Sequence, residues 1–244
     1  MANRVAVVTG ASWGIGREIA LTLASEGFRV RSLGRNPGIE ETHKIAVSRG
    51  LDVQIMEGDV SIAAQVEEFR KWVLGAGSPI TALVNNAAIR MTGTVLTTSE
   101  EDWDRIFAVD VKGVFLVTRA FIPELIKAGG GAVVTISSCS AMGSLDLIAY
   151  SSAKSALLAF SRCLAEDHKK ERIRSNAILP GPTETGMMRG IPEDAIAWCA
   201  ENGVQGRLGQ PSDIAAAAAF LVSDKAVTIS GTELRVNFWP ALFG

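Results

Sequence analysis

Tyr150 and Lys154 stand four residues apart in Tyr150-Ser151-Ser152-Ala153-Lys154, and Tyr150 is the only tyrosine in the 244 residues. On a helix that spacing puts both side chains on one face, one turn apart. A free phenol has a pKa of about 10 and keeps its proton at neutral pH. A nearby ammonium stabilises the phenolate and lowers that value. A phenol tuned in this way can give its proton to a carbonyl oxygen or take one from an alcohol. The spacing alone suits an ordinary exposed helix turn equally well, so its meaning depends on what the fold brings beside it.

Near the start of the chain, Arg4-Val5-Ala6-Val7-Val8-Thr9 is a short apolar run, as expected of a strand buried on both faces. Gly10-Ala11-Ser12-Trp13-Gly14-Ile15-Gly16 follows, and a helical pattern then places Ile19, Ala20, Leu23 and Ala24 on one side. Strand, glycine turn and helix together make a phosphate cradle: glycines admit a pyrophosphate to the backbone, and the helix start offers N–H groups and a positive dipole end. Contacts are therefore expected from Gly10, Ser12, Trp13, Gly14, Ile15 and Gly16. A second strand, Phe28 to Leu33, ends at Gly34-Arg35-Asn36. An acidic residue there would bind the ribose hydroxyls of NAD. Gly34 instead leaves room, and Arg35 has the donor fork that fits a phosphate, which favours NADP(H) over NAD. The other reading of Arg35 is a solvated surface residue, and Trp13 adds no second cation to the loop. After the strand Asp52 to Met56 comes Gly58-Asp59-Val60. Asp59 could accept a bond from an adenine amino group, or equally cap a helix starting at Ser61.

The strand Ile80 to Val84 ends in Asn85-Asn86-Ala87-Ala88, whose paired amides can tie neighbouring strands together. Residues 99–128 read as one long helix, with Trp103, Phe107, Val111, Val114, Thr118, Phe121 and Leu125 at three- or four-residue steps and Pro123 as a candidate kink. Core and subunit contacts explain that stripe better than a cofactor box. A strand over 132–138 ends in Ser137-Ser138, and the helix holding Tyr150 spans about 149–171. The strand Ile173 to Leu179 is broken by Pro180-Gly181-Pro182. Residues 183–205 lack a period and carry Met187, Met188, Ile191, Trp198 and Cys199, which suggests a mobile substrate lid. Met142, Leu145 and Leu147 could form the opposite wall. A helix after Pro211-Ser212-Asp213 and a strand over 232–236 complete the chain. This alternation predicts an α/β protein with a doubly wound parallel sheet of about seven strands and helices on both faces, with its ligand beyond the strands' carboxyl ends.

The chain resembles the short-chain dehydrogenase/reductase family over nearly its whole length. The resemblance rests on Thr9-Gly10-x3-Gly14-x-Gly16, Asn85-Asn86-Ala87, Ser138, Tyr150-x3-Lys154 and Pro180-Gly181 with Thr185. It implies a single Rossmann-fold domain over 1–244. Tyr150 would be the catalytic acid/base, Lys154 would lower its pKa and hold the nicotinamide ribose, and Ser138 would bond the substrate oxygen, with Ser137 as the alternative. Cofactor contacts would extend to Asp59, Val60, Asn86, Ala87, Pro180, Gly181, Thr183 and Thr185. Asp110 stands where the family usually has an asparagine that holds a water relaying protons to the lysine. Its carboxylate could bind water too, or pair with Lys154 and raise its pKa. Ala88 replaces a usual glycine, and Asn237-Phe238-Trp239 replaces the usual Asp-Gly-Gly before an apolar tail expected to pack in an oligomer.

The composition is 48% apolar and 20% charged with a net charge of −2, so no electrostatic case arises for nucleic acid or membrane. Cys139, Cys163 and Cys199 have no metal-like spacing and form no even disulfide set, which points to free thiols in the cytoplasm. No signal peptide or membrane span is expected. The expected function is NADP(H)-dependent interconversion of a carbonyl (a ketone or aldehyde, 3-oxoacyl compounds among them) and an alcohol, in a homotetramer or dimer. The alternatives are an NAD-dependent alcohol dehydrogenase and a non-catalytic cofactor binder, the latter suggested by Asp110 and Ala88.

Overall fold

The structure is a computed structural model that describes residues 4–35, 38–189 and 191–237. Its strands are β1 (Val5–Thr9), β2 (Arg29–Gly34), β3 (Val53–Glu57), β4 (Ile80–Asn85), β5 (Gly131–Ile136), β6 (Ile173–Pro180) and β7 (Glu233–Val236). All pair in parallel, in the order β3-β2-β1-β4-β5-β6-β7. The helices are α1 (Gly14–Ser25), α2 (Gly38–Ser48), α3 (Ala63–Leu74), α4 (Glu100–Phe107), α5 (Gly113–Lys127), α6 (Ile148–Asp167), α7 (Glu193–Glu201) and α8 (Pro211–Val222).

Successive strand side chains point to opposite faces, so β1 feeds two cores. Ala6 and Val8 pack with Ile19 and Leu23 of α1 and with Ala218 of α8. Val5 and Val7 pack on the other side with Phe69 of α3 and with Phe121 and Leu125 of α5. Burial on both faces explains why the strands read as continuous apolar runs. The strand order reverses between β1 and β4, which opens a crevice at their carboxyl ends.

Three expectations need correction. The stretch 99–128 is not one regular helix. A π turn over Ala108–Lys112 joins α4 to α5, while Pro123 lies inside α5 without ending it. The residue added by that turn shifts the register: Trp103 and Phe107 stack on each other at 4.8 Å, whereas Val114, Phe121 and Leu125 are buried. The segment 183–205 is not irregular throughout, because it contains a short 3-10 turn, Gly186–Met188, and the helix α7. None of α7's residues is buried, so the sequence carries no apolar period there. Finally, α3 starts at Ala63 rather than Ser61. Asp59 Oδ1 takes the Ser61 N–H at 2.9 Å and its hydroxyl at 2.7 Å, closing a turn ahead of the helix. Among the described residues no helix is long and apolar enough to cross a membrane. The apolar tail beyond Asn237, and Asn36 after β2, lie outside the described residues.

Candidate active site

The crevice at the sheet reversal is lined by the Gly10–Gly16 turn, by Gly34 and Arg35 after β2, by Gly58, Asp59 and Val60 after β3, and by Asn86 and Ala87 after β4. The turn closes tightly because its glycines have no side chains. Gly10 has φ +72, and a Cβ on Gly16 would come within 2.2 Å of Gly10 O and 2.3 Å of Asn86 Nδ2. Helix α1 begins without a side-chain cap and without an acidic residue in its first turn, so its positive end faces the crevice uncompensated. Asn86 fixes the floor: its Nδ2 donates to Thr9 O at 3.0 Å and Gly10 O at 3.1 Å, while its N–H and that of Ala87 donate to Thr9 Oγ1. Asn85 Nδ2 donates to Thr118 Oγ1 at 2.9 Å, so Asn86 makes the expected tie between strands while Asn85 ties β4 to helix α5. A crevice whose turn a single Cβ would block, beside an open helix start, fits a dinucleotide pyrophosphate. Gly16→Ala is expected to cost about 1–3 kcal/mol by overpacking and to weaken dinucleotide binding. Paired denaturant titrations and cofactor titrations would check this, and an unchanged unfolding midpoint would contradict it.

Ser12 clasps the end of β2, its hydroxyl donating to Arg35 O at 2.7 Å and accepting from Arg35 N–H at 3.0 Å. Arg35 is exposed at the rim, and Trp13, half-exposed, lies over Gly38. Sequence reasoning missed Arg17. Its Nη2 donates to Ser12 O at 2.7 Å and its Nε to Thr42 Oγ1 at 2.9 Å, so a second cation does brace the loop from behind.

A second cleft adjoins the first; Ile15, Asn86, Ala88, Thr185 and Met187 line both. Ser138, Tyr150 and Lys154 meet in it. Tyr150 and Lys154 share a face of α6, and the Lys154 Nζ lies 5.5 Å from the Tyr150 ring centroid. Ala149 and Ala153 on the same helix let Ile106 of α4 pack close. Ser138 follows β5 and opens the short 3-10 turn Cys139–Met142, accepting the Ser140 N–H at 3.1 Å. The alternative, Ser137, spends its hydroxyl on Lys154 O at 2.8 Å.

Asp110 sits in the π turn, fully buried behind Lys154. Its Oδ1 accepts the Ile89 N–H at 2.9 Å, and its Oδ2 lies 3.3 Å from Lys154 Nζ. The ion pair is off hydrogen-bond alignment, and Oδ2 is otherwise unpartnered among the described residues. Lys154 Nζ also donates to Ile136 O at 3.2 Å. Burial pushes the Asp110 carboxyl up from the ordinary range, against the opposing pull of Lys154. Burial works to lower the Lys154 ammonium, but the charges of Asp110 and Tyr150 hold it above its ordinary value.

The expectation that this site lowers the Tyr150 pKa is reversed for the protein's own groups. Burial, the largest cause, raises it; Lys154 and a Ser138 hydrogen bond lower it, while Asp110 and Cys139 raise it. The sequence shows the favourable lysine but neither the burial nor the carboxylate behind it.

The remaining expected contacts divide between the clefts. Pro180, Gly181 and Thr183 line only the second, and Thr183 spends its hydroxyl on Gly181 O at 2.9 Å. Met188, Ile191, Trp198 and Cys199 line it from the 183–205 side and Leu147 from the other. Leu145 is 87% exposed, and Met142 packs into a separate core cluster, so neither joins that wall. Asn237 is a brace the sequence did not reveal: its Oδ1 accepts the Val204 N–H at 3.1 Å, tying the end of the sheet to the stretch after α7.

The family model described as enoyl-(acyl carrier protein) reductase matches residues 10–238. The 3-oxoacyl-(acyl-carrier-protein) reductase of Escherichia coli strain K12 is 33% identical over 236 residues, covering 96% of this chain and 96% of that protein. Meso-2,3-butanediol dehydrogenase of Serratia marcescens is 34% identical over 239 residues, covering 96% and 93%. The crystal structure of a variant actinorhodin polyketide ketoreductase with NADPH superposes at a TM-score of 0.90 with 29% identity, covering 97% of each chain. By that full-length match and the shared fold, the chain belongs to the short-chain dehydrogenase/reductase family, oxidoreductases that act on C=O and CH–OH groups with a nicotinamide cofactor.

Proposed function

We propose that this protein reduces a partly apolar ketone or aldehyde with NADPH, using Tyr150 as the proton donor. The observation that carries the reading is the convergence of Ser138, Tyr150 and Lys154 in one cleft adjoining the dinucleotide crevice. Bound NADPH would supply the hydride and its electron pair to the carbonyl carbon. Ser138 and the Tyr150 hydroxyl hold the carbonyl oxygen, and Tyr150 gives that oxygen its proton. The product is the alcohol, with a phenolate left on Tyr150. Lys154 stabilises that phenolate, and Asp110 keeps Lys154 charged and fixed. Burial holds the Tyr150 phenol above its ordinary range, so it carries the proton that this step donates. Three donor and charge roles gathered around one cleft speak against a non-catalytic binder.

The coenzyme preference rests on Gly34 and Arg35, which leave space and a cation where an acidic residue would select NAD. Asp59 keeps Oδ2 for an adenine amino group while Oδ1 holds Ser61. Arg35→Ala is expected to raise the KM for NADPH about tenfold or more, the scale of a lost charged hydrogen bond, and to leave NADH within about twofold. An equal loss for both coenzymes would remove Arg35 from phosphate recognition. The apolar 183–205 segment acts as the substrate lid, with Met188, Ile191 and Trp198 facing the cleft. Trp103 and Phe115, 38% and 45% exposed along α4 and α5, support a homotetramer or dimer, and three free cysteines support a cytoplasmic setting.

A further inference from the structure

Among the described residues, the cleft beside Tyr150 carries a positive charge that no carboxylate on its walls balances. Among the described residues lining it, Arg90 and Lys154 are the cations, and no carboxylate lines it. Lys154 is already answered by Asp110 behind it at 3.3 Å. No ion pair joins Arg90 to a carboxylate among the described residues. Arg90 lies on the loop after β4, and its Nη1 reaches across the cleft in a long 3.4 Å contact to Met187 O. That contact steadies the guanidinium at the wall, and among the described residues the Nε and Nη2 side of the fork has no bond.

The Arg90 guanidinium, partly exposed, shares its cleft with the apolar groups Met188, Ile191 and Trp198. Its planar fork matches a carboxylate through paired N–H···O bonds. A phosphate dianion would ask for more than one uncommitted cation. We infer that Arg90 is a specificity residue that receives a carboxylate of the substrate. The preferred substrate is then an oxo acid, with its carbonyl at Tyr150, its carbon chain against the lid residues and its carboxylate at Arg90. This inference rests on the carbonyl-reductase reading above. The competing role for Arg90 is a latch that only holds Met187 and the lid in place.

The test uses 3-, 4- and 5-oxo acids beside their methyl esters, at saturating NADPH, with the wild-type protein and Arg90→Met. The wild type is expected to favour at least one acid over its ester by about tenfold or more in kcat/KM. Arg90→Met is expected to cost that acid about 10- to 100-fold, the range for losing a charge-assisted bond, while the ester stays within about twofold. Equal losses for acid and ester would mark a latch and overturn the inference. So would a wild type that does not distinguish acid from ester. Calorimetric binding of the same pairs to the NADP⁺-loaded protein reads the site without turnover. If no carbonyl is reduced, the reductase reading fails on its own, yet acid-selective binding lost in Arg90→Met still supports the carboxylate site. Binding that is absent, or blind to the ester, overturns it.

Discussion

Tyr150→Phe is expected to lower carbonyl reduction by about 10²- to 10⁴-fold, the usual contribution of a positioned acid or base, while NADPH still binds. The substitution removes one oxygen from a ring that is otherwise buried in α6 and packed near Lys154. The dinucleotide crevice is built from the Gly10–Gly16 turn and the ends of β2, β3 and β4, and does not depend on that oxygen for its shape. The loss therefore belongs in kcat, with cofactor affinity changed little. Fluorescence titration with NADPH and steady-state rates on the same preparation separate the two. Near-normal turnover in the variant would sink the proton-donor role, and loss of NADPH binding would make any rate effect uninterpretable as chemistry.

The second large effect is expected at Asp110. Its carboxylate raises the pKa of both Tyr150 and Lys154. Asp110→Asn removes that charge and retains an oxygen for the Ile89 N–H, so both pKa values should fall. Reduction consumes the protonated phenol, so its rate drops as pH rises through the Tyr150 pKa. In Asp110→Asn that drop comes at lower pH than in the wild type. Alcohol oxidation, which needs the phenolate, gains over the same interval. Asp110→Ala goes further, leaving Lys154 buried without its partner and the Ile89 N–H unsatisfied. Breaking a buried pair from one side costs about 3–5 kcal/mol, which denaturant midpoints would register. A pH–rate profile for Asp110→Asn that overlays the wild type would show that the carboxylate does not act on the phenol.

Much of this was legible in the sequence because it lives in local pattern. Two-sided burial writes β1 and β4 as apolar runs, and a turn that must close against Asn86 writes its need as glycine. The Tyr150–Lys154 spacing encodes a shared helix face wherever that helix forms. What was not legible depends on three-dimensional neighbours or on departures from regular period. The π turn that carries Asp110 adds a residue to an otherwise periodic stretch, so a 3.6-residue pattern reads straight through it. No residue of helix α7 is fully buried, so it leaves no clear stripe to read. Arg17 follows the glycine turn like any helix-surface arginine, and only the fold shows it bonded to Ser12 O. The direction of the Tyr150 shift is not legible for a related reason: the sequence displays Lys154 four residues away but not how deeply the phenol is buried.

The central claim is tested most directly by following NADPH oxidation by the wild-type protein across a panel of ketones, aldehydes, β-ketoesters and oxo acids, with Tyr150→Phe as the control. The expected result is consumption of NADPH with at least one class, coupled one-to-one to alcohol formed and absent in the control. Contradiction would be no consumption with any class despite saturable NADPH binding, or consumption that persists unchanged in Tyr150→Phe.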